Sequence, residues 1–268
     1  MFSQLDSKAA CGALCLLLPA SFAYGHGGGG DIALTVTNGQ VDIGFAVLDD
    51  NDITQEEFFP DDNVFQAVFT PLPTSAFYQW EIGSSEPGFD ADENQLPVGE
   101  EVTFNVESIR YWDGEGPVSF SPAPGVTAGY QYFGTYAADA SGFHEHPMFG
   151  LDGPVVDGVY LTEMTVSVNT LLDSESFYLV GLVDQVLTDI YDAEPTVAEQ
   201  VAAAANAAET LGELTRNYLA DPLAGAPMLE GVDFTYYAEA IQFAEAIPEP
   251  SSAAMLAATL ALAAWRRR

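Results

Sequence analysis

The sequence predicts an all-β fold, an antiparallel β-sandwich of jelly-roll type carrying one inserted amphipathic helix. Three observations point there. Apolar residues alternate with polar ones in short runs, Gly and Pro separate those runs, and a helical period appears in one segment only. Aromatic residues at 12% and hydrophobic residues at 48% of 268 supply core material and exclude a disordered chain. Three parts are expected: a head of residues 1–25, a sandwich over 26–247 with its helix at about 196–220, and a tail of 248–268.

In chain order, Ile32, Leu34 and Val36 alternate with polar residues, Asn38-Gly39 follows, and Val41, Ile43, Phe45 and Val47 alternate again. Two period-2 runs around Asn-Gly are the strongest short-range hairpin signal. An acidic loop is expected from Asp49 to Asp62, then strands over Val64–Phe69 and Phe77–Ile82. After a loop from Gly83 to Glu100, Val102, Phe104 and Val106 alternate with Thr103, Asn105 and Glu107. Further strands are expected at Val118–Phe120, Tyr130–Phe133, Val159–Val168 and Phe177–Val183, and a last one over Val232–Phe243. The exception begins at Thr196, which with Glu199 forms a capping box. From there Val197, Val201, Ala204, Ala208, Leu211, Leu214 and Tyr218 recur at threes and fours, an amphipathic helix whose inward face is mostly alanine.

The two ends read as addresses. Lys8 precedes an apolar stretch, Ala9 to Ala20, that closes in small residues, the pattern of a secretory signal peptide. Cleavage fits after Ala23 or after Gly25. Both cysteines, Cys11 and Cys15, fall in that head, so the mature domain is expected to have no disulfide although it enters an oxidising compartment. At the other end Pro248-Glu249-Pro250 is followed by an apolar run to Trp265 and by Arg266-Arg267-Arg268. The run is about 22 Å long as a helix, against about 30 Å of hydrocarbon, and is rich in alanine, so it suits transient insertion in the inner membrane. The arginines hold the cytoplasmic side and leave everything upstream outside. This arrangement resembles the PEP-CTERM signal of bacterial proteins processed by an exosortase. The resemblance implies export across the inner membrane, a cut near Pro250, and a place at the cell surface or in the extracellular matrix.

The formal net charge is −34, and of six basic residues four (Lys8 and the terminal arginines) lie in those ends. Such a field repels nucleic acid and anionic lipid, and neither is expected as a partner. It suits an exported protein in saline surroundings.

Chemistry concentrates in one stretch. Two of three histidines stand in Phe143-His144-Glu145-His146-Pro147. In extended chain, residues two apart point the same way, so both imidazoles can meet one zinc or copper ion while Glu145 points away. The third, His26, is the first mature residue if cleavage follows Gly25, where its ring and α-amine can join the pair. A second resemblance is carried by Glu86-Pro87-Gly88-Phe89, Leu96-Pro97-Val98-Gly99-Glu100, Tyr111-Trp112-Asp113-Gly114, His144-Glu145-His146 and Gly158-Val159-Tyr160. This set, spanning residues 81–183, is similar to a family of surface-anchored bacterial β-proteins, some under zinc-responsive repressors. That similarity implies a sandwich and metal handling. With three histidines the chain departs from the family's histidine-rich members, which argues against zinc storage.

Calcium is the other metal expectation. Asp90, Asp92 and Asn94 offer oxygens at alternate positions and Glu101 stands at the twelfth place. Gln95 replaces the glycine at the sixth, and no helices flank the loop, so it suits an irregular calcium-stiffened loop and not an EF-hand. No catalytic motif is present: neither G-x-S-x-G, H-E-x-x-H nor a phosphate-binding glycine loop occurs, and the single lysine leaves with the head. Tyr111-Trp112 and Tyr130 to Phe133 are expected as strand core, with stacking on extracellular polysaccharide as the alternative. The expected role is therefore non-catalytic, in surface adhesion or assembly. The alternatives are metal binding at His144 and His146, and a carbohydrate-binding module or matrix hydrolase.

Overall fold

The computed structural model describes residues 30–48, 55–59, 62–73, 78–131, 137–138 and 142–247. The expected signal peptide, His26 and residues 248–268 lie outside them. The chain begins with β1 (Gly30–Thr37) and β2 (Gln40–Leu48), paired antiparallel in the register Val36 opposite Val41. Asn38 and Gly39 both take positive φ, 54° and 84°, the mirror-image turn whose twist matches that of the strands. Next come β3 (Gln55–Phe59), β4 (Val64–Val68), β5 (Thr70–Pro71), β6 (Ile82–Ser84) and β7 (Phe89–Ala91). The long β8 (Val102–Trp112) follows, then β9 (Ser121–Pro122), β10 (Thr127–Gln131), β11 (Phe143–Glu145), β12 (Met148–Asp152), β13 (Gly158–Val168) and β14 (Phe177–Val183).

These strands form three sheets, ordered β11-β7-β1-β2-β3, β10-β12-β6-β5 and β4-β14-β13-β8-β9. The first two lie on one side of the third, and one hydrophobic cluster joins all three. Ile32, Leu34, Phe89 and Phe143 come from the first sheet, Phe149 and Leu151 from the second, and Phe104, Met164 and Phe177 from the third. Phe89 stacks on Phe104 at 4.0 Å between ring centroids, in the middle of that layer.

Three helices are described, where the sequence predicted one. They are α1 (Gln185–Asp192), α2 (Val197–Ala220) and α3 (Thr235–Glu245), with a minor hairpin of β15 (Met228–Leu229) and β16 (Val232–Asp233) before the last. The helices cover the far face of the third sheet. Val64, Leu161, Val180 and Leu182 project there against Leu187, Leu211, Tyr237 and Ile241. This is why β14 reads as an unbroken apolar run and β4 is apolar but for Gln66, both buried at every residue: both of their faces are covered. No described helix is long and apolar enough to cross a membrane.

Several expectations are corrected. The segment Val232–Phe243 is mostly α3, whose buried Tyr237, Ile241 and Ala244 recur at helical spacing. The acidic loop after β2 contains β3, and the expected strand at Val118–Phe120 gives way to Ser121–Pro122. The pairing is not purely antiparallel, since β1 runs parallel to β7 and β4 parallel to β14.

Candidate metal centre

The chain crosses twice from one sheet to another at the same corner. It passes from β6 to β7 through Ser85–Gly88, and from β11 to β12 through His146-Pro147. Parallel pairing sets Asp90 of β7 beside Ala33 of β1, and antiparallel pairing sets His144 opposite Asp90. Alternation then puts Asp31, two residues before Ala33, on the face shared by Asp90 and His144, while Ile32, Phe89 and Phe143 face the core. His146, two residues past His144, extends that face across the corner.

Asp31, His144 and His146 meet there as a group that could hold a metal ion, each offering one ligand atom within 4.8 Å of the others. Asp31 Oδ2 lies 3.5 Å from His144 Nδ1 and 3.6 Å from His146 Nε2. These separations exceed the usual N–H···O range. They match the edge of a tetrahedron around a metal with bonds of about 2.0–2.1 Å, which is roughly 3.3–3.4 Å. Both Asp31 Oδ2 and His144 Nδ1 are buried and lack a hydrogen-bond partner. A buried polar atom without a partner costs about 1–3 kcal/mol, so the arrangement is expensive in the protein alone.

The surroundings orient the three groups. The Gly88 N–H donates to Asp31 Oδ1 at 2.9 Å, which leaves Oδ2 facing the imidazoles. Gly88 is required sterically, because a Cβ there would stand 2.6 Å from both Asp31 Oδ2 and His146 Cε1. His146 Nδ1 lies 3.3 Å from Glu86 Oε1 and 3.2 Å from the Ser85 carbonyl oxygen. A proton on Nδ1 leaves Nε2 as the free lone pair toward Asp31, the outer-shell arrangement that supports a ligating histidine. Asp90 Oδ1 sits 3.4 Å from His144 Nδ1 and flanks the group.

Electrostatics follow from burial. Desolvation pushes the Asp31 carboxyl up to about 6, against the pull of His146, His144 and the Gly88 N–H. The hydrogen bond to Glu86 pushes His146 up to about 9, with Asp31 adding to it and desolvation opposing. Burial likewise raises Glu145, which the neighbouring histidines partly offset.

The sequence singled out His144 and His146, and the structure brings them together, their ring centroids 5.0 Å apart. It did not single out Asp31, which looks like one of 40 acids, and Glu86 appeared only within the second resemblance, with no ligand role. The calcium set does not assemble as expected. Asp90 turns to His144, Asn94 is exposed in a left-handed turn, and Glu101 is exposed on a bridge to Ala137. Asp90, Asp92 and Glu101 form no three-ligand group among the described residues. Of the aromatics considered for sugar stacking, Trp112 is buried against Phe120 and Tyr236, Tyr111 packs on Tyr160, and Tyr130 on Phe104.

The comparisons with known proteins speak to the tail. Residues 246–268 match the PEP-CTERM protein-sorting motif. No curated protein and no solved structure matches the chain. The motif marks the protein for export across the inner membrane to the cell surface and implies processing by an exosortase.

Proposed function

We propose that this exported surface protein binds a divalent transition metal, zinc or copper, through Asp31, His144 and His146, and that its role is non-catalytic. The observation that carries the reading is the spacing of Asp31 Oδ2 from the two imidazole nitrogens, 3.5 and 3.6 Å. It is too long for hydrogen bonding and near the edge length of a tetrahedral site. Two imidazoles and one carboxylate suit zinc or copper(II), and a carboxylate-poor set of this kind is a weak host for calcium. Glu86, the Ser85 carbonyl and the Gly88 N–H supply the supporting shell.

The test is elemental analysis and competitive titration of the exported form. One equivalent of zinc or copper is expected, with affinity reduced at least about 100-fold in His144→Ala/His146→Ala, which removes two direct ligands. Glu86→Gln, an outer-shell change, is expected to cost about 10-fold. Substoichiometric metal that is indifferent to these substitutions would refute the proposal.

A further inference from the structure

The three ligand residues line one wall of a cleft of about 450 Å³. Its opposite wall is α2, which presents Val201, Ala205, Ala208 and Gly212 toward β4 and β5. Ala205, Ala208 and Gly212 are small and leave open the space that leucine would fill, while Val201 and Glu209 flank them. Pro71, Leu72 and Met148 add apolar wall, and Gln66, Thr70 and Ser84 add polar wall. Among the described residues the group has three members and no fourth, and all three line this cleft.

The geometry points to a binding site for a small, uncharged, nitrogen-donor molecule with an apolar body, one that takes the fourth position on the metal and lays its body along the alanine wall of α2. This inference rests on the metal reading above. Three protein ligands plus an open position is the arrangement in which zinc accepts an exchangeable ligand, whereas a closed set of four is structural. Size and polarity follow the usual rule for such pockets, apolar wall interrupted by a few polar groups that orient the ligand. Charge selects further. A divalent ion with Asp31 leaves a single positive charge, while Glu86 and Glu209 also line the cleft and Asp90 stands behind His144. Together with a chain charge of −34, this disfavours a carboxylate or phosphate ligand and favours a neutral aromatic nitrogen donor such as an imidazole.

The exported protein loaded with Co²⁺ provides the test, because the visible bands of cobalt report its ligands. Imidazole, 4-phenylimidazole and benzoate are titrated in turn. The expected result is that 4-phenylimidazole shifts the bands and binds about 10-fold or more tightly than imidazole, since its ring adds buried apolar area, while benzoate does not compete. In Ala205→Trp, and separately in Val201→Trp, this preference should vanish with Co²⁺ affinity unchanged. Equal binding of the two imidazoles, or displacement by benzoate, would overturn the inference while leaving the metal site standing. So would a resting spectrum altered by His26→Ala, which would mean that the chain's own histidine fills the position. Failure to bind Co²⁺ at all would remove the metal site and this inference together.

Discussion

Asp31 holds a carboxyl in a place that a carboxylate dislikes, and its chemistry sets the pH behaviour of the metal-free protein. Its folded pKa is raised to about 6 from 3.8, and that of His146 to about 9 from 6.5. A raised group stabilises fully below its unfolded value and loses that contribution as pH rises through its folded value. The metal-free protein should therefore lose stability from about pH 4 to 6 through Asp31, and from about 6.5 to 9 through His146. The Asp31 share is about 2–3 kcal/mol, since one pKa unit is about 1.4 kcal/mol and the side chain is only 6% exposed. Asp31→Asn should erase that share, so that urea denaturation of metal-free wild type and variant diverges in the variant's favour between pH 4 and 7. The same substitution should weaken zinc, because it removes a ligand charge. Opposite signs from one change are the mark of a residue kept for binding. At pH 7 zinc must also displace the proton that His146 carries, so calorimetry in buffers of different ionisation heat should detect close to one proton released.

At the scale of elements, glycines decide where rings can lie. Gly129 and Gly150 stand opposite each other on β10 and β12, and Trp80 rests across both. A Cβ at Gly150 would stand 2.0 Å from Trp80 Cγ, so Gly150→Ala must expel the indole. The expected cost is about 2–3 kcal/mol in urea denaturation, with a shift in tryptophan emission. Much of this level was legible in the sequence. The Asn-Gly hairpin, the alternation of β8 and β13 and the capping box of α2 each follow from a local rule, and Thr196 does cap α2 by accepting from the Glu199 N–H. The two missed helices have one cause, the second covered face of the third sheet. The unbroken run Phe177–Val183 already required a layer on each side, and α1 and α3 supply it. Residues 232–237 look like a strand because they are rich in aromatic and branched side chains. Tertiary packing overrides that propensity: Tyr237, fully buried, donates its hydroxyl to the Ala67 and Val180 carbonyls of the sheet below. The candidate metal group was half legible, because two histidines at i and i+2 in extended chain point the same way. A partner acid on another strand has no signature among so many acids.

The whole molecule carries −34 charges with few cations to offset them. Of the described cations, Arg110 lies 3.8 Å from Glu163, and Arg216 is partly buried near Glu213 and Glu209. Self-repulsion of that size should make stability rise with ionic strength. The melting temperature is expected to climb by roughly 5 °C or more between about 0.02 and 0.5 M NaCl, as the screening length falls from tens of ångströms to a few. A neutral-surface protein would show no such climb. The segment matched by the sorting motif, 246–268, starts at the end of α3, so few residues separate that helix from the expected cut near Pro250. Mass spectrometry of the surface form should find chains ending near Pro250. Outside the cell, a domain whose two cysteines both lie in the head has no sulfur cross-link to hold its first strand down. Asp31 belongs to that strand and the two histidines to a distant part of the chain, so an ion between them would work as a rivet. Chelators in the growth medium would then loosen the leading edge of the domain first, and extracellular proteases would nick it there, near residue 30, before touching the rest.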